Sequence, residues 1–550
     1  MTPRRDPVAA PPGTTRAMPV SMESIDDTRL RSGNPALDAL VPRVRGFLSH
    51  DVSSYVMFGR PVRGYRSPDT PSIWIRDHSE ILRGAKYWER DMRSTIDHFA
   101  EMQSEAGWLF DYFTMTPEKV PCEKENWAKY VRVPVEADVE YRFIKAVFIA
   151  WQATGDDRWM KRMIPRMEKA LRYVMTDPWR WDRRRRLVKR AYTIDTWDFD
   201  YTAGRAPWLN FRVDEHTYWG IMHGDSSGYY EAFLNLATMH ERAGNAPRVR
   251  RWRNYASAFR ARANRASFNG RFYRHRLPIT PVEIPGVDAE AQMTLSNPMD
   301  INRGLATHPM ALSIIDEYRR RGAANGFAAD WVSVDPPFPA GIFGDVKLVP
   351  GSYCNGGLMP LVGGELARAA FEHGREAYAV AQLLRYEELT RGNETYLWYF
   401  PDGRPSSIET STSPDASPTD GWGSSAMLYA LLEGLAGVVD TSSLYRDVRL
   451  SPRWAAAGCD EVSLGVSYAA SGAGVAYDYH HDAGSRRIAL EVRARSNVEF
   501  HLLLPPGARA RSLHVNGRLI RHRQVNLEGS RYLDARFPVR GKAEITVHLE

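Results

Sequence analysis

The sequence predicts a mainly α-helical protein, in which serial helical hairpins form a toroid, followed by a small all-β domain. Amphipathic helix pairs separated by short turns recur over residues 70–440, with apolar residues at steps of three and four. After residue 440 the apolar residues alternate instead, as in strands. Long loops join the hairpins, and such loops are uncommon unless they build a site. We therefore expect an active site on one rim of the toroid.

The helices follow one another at regular intervals. A short helix is expected at 38–50, and a longer one begins near Trp74 and keeps its apolar face as far as Phe99. Three hairpins have turns at Gly155-Asp156, Gly244-Asn245 and His373-Gly374. Residues 299–320 supply another helix or two, and residues 421–438 form the last. The intervening loops are 104–135, 176–227, 268–298, 327–354 and 392–420.

The last hundred residues have the pattern of an antiparallel sandwich. Apolar residues alternate over 462–466, 475–479, 488–492 and 498–504. Asn516-Gly517 is a strong hairpin signal. We divide the chain into a disordered tail (1–25), an α/α-toroid catalytic domain (26–440) and a C-terminal β-sandwich domain (441–550). The β domain is expected to be structural.

The composition leaves several classes of protein open and disfavours others. The chain has 16 Trp, 26 Tyr and 20 Phe, which suits sugar recognition as well as an ordinary large core. The net charge of +7 is small for 550 residues. One dense basic run, Arg180–Arg190, suggests a patch for an acidic polymer, but a solvated loop fits it better. We expect no nucleic-acid partner.

The cysteines and the N-terminal sequence indicate the compartment. Cys122, Cys354 and Cys459 form no disulfide framework, which fits a reducing environment. The N-terminal residues include no apolar signal core, and no run is long enough to cross a membrane. We therefore expect a cytoplasmic protein with no membrane partner, and its oligomeric state stays open.

Residues 191–201 place three carboxylates among aromatic side chains. These are Asp195, Asp198 and Asp200, beside Trp197 and several other rings. Burial against apolar rings disfavours a charged carboxylate and raises its pKa, which suits a general acid. The alternative interpretation is a loop whose Asp residues cap helices and whose aromatic residues fill the core.

Three more stretches carry polar or aromatic residues at loops and helix starts. Trp74-Ile75-Arg76-Asp77 begins a helix, and Tyr353-Cys354-Asn355-Gly356-Gly357 precedes another. Ile408-Glu409-Thr410 is followed by Asp420-Gly421-Trp422 at the start of the last long helix. A guanidinium and a neighbouring carboxylate suit the hydroxyl pair of a sugar, since together they restrict its rotation.

Together these stretches resemble those of the six-hairpin glycosidase superfamily, which includes glucoamylases, trehalases and α-L-rhamnosidases. The order and spacing match over residues 70–440, and Asp198 within Trp197-Asp198-Phe199 resembles the general acid of trehalases. The resemblance implies a toroid of six helical hairpins. It also implies that Asp198 is the acid, that Glu409 is the base, and that the following residues bind substrate: Trp74, Arg76, Asp77, Trp197, Tyr353, Asn355 and Trp422.

The expected function is that of an inverting glycoside hydrolase that cleaves an α-glycosidic bond of an oligosaccharide or a glycoside. Asp195, Asp200 and Asp225 are rivals for the acid, and Asp420 is a rival for the base, although a helix N-cap suits it better. The alternatives are an inverting phosphorylase, a polysaccharide lyase and a non-catalytic carbohydrate-binding toroid. We expect no cofactor and no metal, because His78, His216 and His223 lack ligand-like spacing.

Overall fold

The computed structural model describes residues 27–115, 129–205, 212–413 and 416–550. The predicted disordered tail, residues 1–25, and Cys122 lie outside these ranges. Thirteen α-helices occur within the described residues. In chain order they are α1 Pro35–His50, α2 Ile75–Ala85, α3 Ser94–Glu101, α4 Val139–Thr154, α5 Asp157–Thr176, α6 His223–Arg242, α7 Ala246–Ser267, α8 Ser296–Asn302, α9 His308–Asn325, α10 Pro360–Glu372, α11 Glu376–Leu389, α12 Gly421–Tyr429 and α13 Trp454–Ala457.

Short strands accompany the helices, and longer strands follow them. Those of the helical region are β1 Arg29–Arg31, β2 Val52–Met57, β3 Arg60–Tyr65, β4 Ile73–Trp74, β5 Tyr112–Phe113, β6 Tyr130–Val131, β7 Trp181–Asp182, β8 Leu187–Val188, β9 Arg190–Ala191, β10 Trp219–Met222, β11 Arg276–Pro278, β12 Met293–Thr294 and β13 Val334–Asp335. Those that follow are β14 Val438–Asp440, β15 Asp447–Leu450, β16 Glu461–Ser467, β17 Gly474–Asp482, β18 Arg487–Leu503, β19 Ala510–Val515, β20 Arg518–Ile520, β21 Arg523–Leu527 and β22 Ser530–Leu549.

Six helices contact one another in a closed sequence. Helix α2 packs on α4, α4 on α6, α6 on α8, α8 on α10 and α10 on α12, and α12 packs back on α2. The alternate helices lie against this ring, as α5 does on α4, α7 on α6 and α11 on α10. No helix in the described ranges is long and apolar enough to cross a membrane.

The predicted hairpin turns are confirmed, and their geometry explains them. Helix α4 ends at Gly155 in the left-handed conformation (φ 65°), which a residue without Cβ adopts freely. The side chains of Asp156 and Asn245 then accept hydrogen bonds from the first turns of α5 and α7. The first two turns therefore end one helix and cap the next, whereas the His373-Gly374 turn is followed by a helix without a side-chain cap.

The prediction of one continuous helix from Trp74 to Phe99 is wrong, because the structure has two helices there, α2 and α3. The Asp91 side chain accepts hydrogen bonds from the backbone N–H groups of Arg93 and Ser94, at 3.2 and 2.9 Å. A carboxylate placed there replaces helical hydrogen bonds and starts a new helix, although the apolar spacing continues.

The ring is tight and its interior is charged. A Cβ on Gly364 of α10 would lie 2.3 Å from the backbone of Ala426 in α12, so the two helices approach each other closely. Within the ring, the fully buried Glu80 of α2 pairs with Arg83, at 2.9 Å, and with Lys145 of α4, at 3.0 Å. Buried ion pairs of this kind are costly to break, because a single remaining charge is left without compensation.

The C-terminal strands form one large, mainly antiparallel sheet, to which β1 from the start of the described chain adds an edge strand. Its order is β1-β16-β17-β18-β22-β19-β20, and β15 pairs with β18 in the parallel direction. The predicted alternating runs are confirmed as strands, and 488–492 and 498–504 belong to the single strand β18, which ends at Leu503. The predicted Asn516-Gly517 hairpin is also confirmed, with φ of 51° and 74° between β19 and β20.

Candidate active site

A pocket opens at the N-termini of two helices of the ring, α2 and α12. Trp74 is the N-cap of α2, and Trp422 lies in the first turn of α12, so both helix N-termini contribute to its wall. Helix N-termini carry partial positive charge, which stabilises nearby carboxylates. The lining residues are Ser67, Asp69, Thr70, Trp74, Arg76, Asp77, Trp197, Asp198, Phe199, Asp345, Tyr353, Leu397, Thr412, Ser413 and Trp422.

The pocket brings together most of the residues that were assigned to the site from the sequence. Seven of the nine line it, although more than 300 residues separate the first from the last. They are Trp74, Arg76, Asp77, Trp197, Asp198, Tyr353 and Trp422. Glu409 and Asn355 are not among the lining residues.

Arg76 is held by two buried carboxylates from the segment that leads into α4. Its guanidinium donates to both oxygens of Asp138, at 2.9 and 3.0 Å, and pairs with Glu136 at 2.6 Å. All three side chains are almost fully buried. Burial raises the pKa of Glu136. Burial also acts on Asp138, but Arg76, Arg142 and Arg190 together outweigh it and lower the pKa of Asp138. Neither acid was selected from the sequence.

The loop that carries Asp198 is fixed by its neighbour Asp195. Asp195 adopts φ 46°, and its carboxylate accepts hydrogen bonds from the Ser296 hydroxyl, at 2.6 Å, and the Ser296 N–H, at 3.0 Å. Its own N–H donates to His275. Because Asp195 is fully buried and its oxygens are occupied, it positions the loop that presents Asp198 to the pocket.

Aromatic side chains form one wall of the pocket. The rings of Trp197 and Trp422 stack with centroids 5.6 Å apart and an interplanar angle of 2°. Tyr353 packs edge-on against Trp197, at 5.6 Å, and its hydroxyl donates to Asp69 at 2.7 Å. Arg76 lies 5.8 Å from the centre of the Trp197 ring. A rigid wall with apolar faces and few exposed donors suits a sugar ring.

Asp198 has the protonation behaviour that an acid catalyst needs. Burial is the main cause that raises its pKa to about 6, and it outweighs the opposing effect of Arg76. Its Oδ1 is buried and has no hydrogen-bond partner. A carboxyl group with this pKa keeps a proton at mildly acidic pH and can donate it to a substrate oxygen.

The rival carboxylates lie elsewhere. Asp195, Asp200 and Asp225 are buried outside the pocket lining, and Asp225 faces Arg190 at 3.4 Å. Arg190 ends the basic run that was interpreted from the sequence as a solvated loop, yet its side chain is fully buried. Asp420 is the N-cap of α12 and accepts hydrogen bonds from two backbone N–H groups.

Glu409 and Asn355 occupy different surroundings from those expected. Glu409 is exposed on the 406–413 loop, where it lines a neighbouring cleft of about 270 Å³ that shares Asp69 and Leu397 with the pocket. Asn355 is buried, and its side-chain amide is used entirely by the backbone of Phe338 and Leu348. In this conformation neither side chain reaches the pocket.

Two pocket acids, Asp69 and Asp345, were missed in the sequence. Each follows a residue that disfavours regular secondary structure, since Asp69 comes after Pro68 and Asp345 after Gly344. That signal is common to many surface turns, so it does not single them out. Burial is the first cause that raises the pKa of each.

A buried carboxyl group beneath the pocket gives a prediction about stability. Asp51 is fully buried, its Oδ2 has no hydrogen-bond partner, and Thr419 donates to its Oδ1 at 2.8 Å. Burial raises its pKa from 3.8 to about 8, and the nearby Asp77 adds to the effect. The folded state therefore binds a proton that the unfolded state releases between about pH 4 and 8, so stability falls as the pH rises through this window.

We expect Asp51→Asn to reduce this loss of stability. A single group with this shift accounts for about 1.4 kcal/mol per pH unit within the window. Urea unfolding at pH 5 and pH 8 measures it, with the exposed Asp402→Asn as the control. An unchanged pH dependence in Asp51→Asn would show that Asp51 is not the group that titrates.

Within the described residues, no three His, Cys, Asp or Glu side chains are grouped so as to hold a metal ion. Cys354 and Cys459 are free and buried.

Comparison with known proteins gives no match by sequence and clear matches by structure. No protein-family model and no curated protein matches the sequence. The α-L-rhamnosidase from Dictyoglumus thermophilum superimposes with a TM-score of 0.59 and 10% identity, covering 96% of this chain and 50% of that chain. The Streptomyces avermitilis α-L-rhamnosidase complexed with L-rhamnose gives 0.57 and 13%, covering 96% and 42%.

A smaller enzyme matches as well. The mannosylglycerate hydrolase from Thermus thermophilus, in complex with Tris, gives a TM-score of 0.52 and 14% identity, covering 72% of this chain and 99% of that chain. These structural neighbours are glycoside hydrolases of the six-hairpin superfamily. This chain spans about half the length of the rhamnosidase chains. The resemblance predicted from the sequence is therefore confirmed at the level of the fold.

Proposed function

We propose that this protein is an inverting glycoside hydrolase that cleaves an α-glycosidic bond of an oligosaccharide or a glycoside. One observation carries the proposal: Asp198, with its pKa raised to about 6, lies in an aromatic-walled pocket at the N-termini of α2 and α12. Inverting hydrolases need a protonated carboxyl group on one side of the bond and a carboxylate base on the other. The structural likeness to known glycosidases supports the same class.

We infer the α/α six-hairpin toroid as the architecture of the catalytic region. The closed contact sequence of α2, α4, α6, α8, α10 and α12 supports it, as do the helices packed around them. The arrangement explains the place of the pocket, because loops and helix N-termini converge at one end of a ring of this kind. We propose that the C-terminal region is structural and that its one large sheet folds over on itself as the predicted β-sandwich.

In the proposed reaction Asp198 donates its proton to the glycosidic oxygen as the bond to the anomeric carbon breaks. Water attacks the anomeric carbon from the opposite face and loses a proton to the base, which inverts the configuration. Arg76 and Asp77 lie where they can bind sugar hydroxyls, and Trp197, Trp422 and Trp74 provide apolar surface. The sequence resemblance assigned the base to Glu409, which is exposed outside the pocket lining and could act there only if the 406–413 loop moved.

The charge of the pocket separates this proposal from two alternatives. Asp69, Asp77, Asp198 and Asp345 line it, and the one cation among its described lining residues, Arg76, is already paired with two buried acids. A phosphorylase must bind a phosphate anion, and a polysaccharide lyase acts on anionic uronates, so both need positive charge that these residues do not supply. A neutral sugar fits this pocket better. The two free buried cysteines fit a cytoplasmic enzyme.

A substrate screen tests the proposal. The purified 550-residue protein is incubated with nitrophenyl α- and β-glycosides, α-L-rhamnosides, mannosylglycerate and natural disaccharides, each with and without inorganic phosphate. We expect hydrolysis of an α-glycoside at a rate that phosphate does not change. Cleavage that requires phosphate would indicate a phosphorylase, and sugar binding without any turnover would indicate the carbohydrate-binding toroid.

The raised pKa of Asp198 also predicts the pH dependence of the reaction. The acid must be protonated, so kcat/KM for a substrate with a poor leaving group should fall as the pH rises above about 6. The profile is measured from pH 4 to pH 9 under conditions in which the enzyme stays folded. An activity that keeps rising to pH 9 would contradict the assignment of Asp198 as the acid.

A further inference from the structure

Asp345 is a pocket carboxylate that neither the sequence motifs nor the proposed function uses. It is 1% exposed and lines the same pocket as Asp198. Its Oδ1 accepts a hydrogen bond from the Lys347 N–H at 2.8 Å, whereas its Oδ2 is buried with no hydrogen-bond partner. Buried polar atoms are nearly always paired, so an unpaired carboxylate oxygen in a pocket indicates a donor that arrives with the ligand.

Asp198 shares this property, and the other two acids of the pocket do not. The Oδ1 of Asp198 is likewise buried without a partner. In Asp69, by contrast, the Tyr353 hydroxyl donates to one oxygen at 2.7 Å and the Ser411 hydroxyl to the other at 3.4 Å. Asp77 has no unpartnered buried oxygen either. Among the described lining residues, Asp198 and Asp345 are therefore the two carboxyl groups with a buried oxygen that lacks a hydrogen-bond partner. An inverting hydrolase needs two carboxyl groups, one as acid and one as base.

Asp198 and Asp345 also lie near a common neighbour, Cys354. Each raises the pKa of the Cys354 thiol by its negative charge, after the larger effect of burial. Cys354 follows Tyr353, whose ring packs against Trp197 beside Asp198. The loop of Asp345 and the loop of Asp198 therefore meet across the Tyr353-Cys354 segment, although 147 residues separate the two acids (345 minus 198).

The loop that carries Asp345 is held on both sides. The Asn355 side chain bonds the backbone of Phe338 before it and of Leu348 after it, at 2.7 to 3.0 Å. The Ser352 hydroxyl donates to the carbonyl oxygen of Lys347 at 2.6 Å. Asn355 was predicted from the sequence to bind substrate. In the structure its side chain instead positions the loop that carries Asp345. A carboxylate fixed in this way needs no rearrangement when the reaction takes place.

We propose that Asp345 is the general base of the hydrolysis, a role that rests on the proposed function. The unpaired Oδ2 accepts a proton from water while the water oxygen bonds to the anomeric carbon. The glycosidic carbon–oxygen bond breaks in the same step, and the departing oxygen takes the proton of Asp198. One water molecule is consumed, and proton exchange with solvent restores both carboxyl groups after the products leave.

Kinetics of Asp345→Asn test the assignment, with Glu409→Gln as the matched variant and the α-glycoside that the wild type hydrolyses as the substrate. We expect Asp345→Asn to lower kcat about 1,000-fold with little change in KM, and Glu409→Gln to stay close to the wild type. Sodium azide, a nucleophile that needs no base, should restore turnover in Asp345→Asn and give a glycosyl azide of inverted configuration.

The other outcomes overturn the proposal in different ways. A nearly inactive Glu409→Gln beside an active Asp345→Asn would place the base at Glu409. A raised KM with unchanged kcat in Asp345→Asn would make Asp345 a sugar-binding residue only. If Asp345→Asn fails to fold, Asp345→Ala with azide replaces it, and absence of rescue in the folded variant overturns the assignment. A wild type without turnover on any substrate removes the proposed function, and the base assignment with it.

Discussion

Replacing Asp198 by Asn should lower kcat for glycosides with poor leaving groups by about 100- to 10,000-fold. An amide has nearly the same shape as the carboxyl group but cannot supply the proton that the departing oxygen needs. A strongly activated leaving group, such as dinitrophenolate, needs no proton and should lose much less. The effect therefore depends on the leaving group, which a general loss of folding does not reproduce. Steady-state kinetics on a series of aryl glycosides measures it.

Asp225→Asn is the matched control for this series. Asp225 is fully buried and has its pKa raised to about 6, first by burial, but it lies outside the pocket lining. Its replacement should leave the ratio of rates on activated and poor leaving groups unchanged. If Asp225→Asn changes that ratio and Asp198→Asn does not, the acid is Asp225.

Replacing Arg76 by Met should cost about 3–5 kcal/mol of unfolding free energy. The substitution leaves Glu136 and Asp138 buried without the guanidinium that pairs with them at 2.6 and 2.9 Å. The loss should be larger at pH 8 than at pH 5, because Glu136 loses its partner cation and can take up a proton at the lower pH, whereas Asp138 keeps Arg142 at 3.3 Å. Urea unfolding at both pH values measures it.

Arg60→Met is the control, because it breaks an ion pair of a different kind. Arg60 pairs with Glu101 at the surface, where both side chains are exposed. Water and salt screen such a pair, so its loss should change stability little. Equal destabilisation by Arg76→Met and Arg60→Met would show that the buried cluster does not hold the N-terminal end of α2 in place.

The local parts of the fold follow from the sequence because their causes are local. Gly155 and Asn245 end and cap helices through contacts within a few residues, and Asn516-Gly517 closes a hairpin in the same way. The division between α2 and α3 was missed, since the Asp91 side chain interrupts a helix whose apolar spacing continues. Periodicity does not record such a hydrogen bond.

Only part of the site can be predicted from the sequence, because some of its residues are brought together by contacts between loops that are remote along the chain. Trp197, Asp198 and Trp422 could be selected because short stretches around them resemble those of known glycosidases. Asp345 and Asp69 reach the pocket through contacts such as Asn355 to Phe338 and Tyr353 to Asp69. Such contacts join remote loops, and no spacing in the sequence specifies them.

The configuration of the first product tests the central claim most directly. The wild-type enzyme is mixed with an α-glycoside that it hydrolyses, and the anomeric proton of the released sugar is followed by NMR from the first turnovers, before mutarotation. The proposed pair of carboxyl groups predicts that the β-anomer of the sugar appears first and that the α-anomer follows only as the solution equilibrates. Initial release of the α-anomer would show retention, and would contradict direct attack by water with Asp198 as the acid.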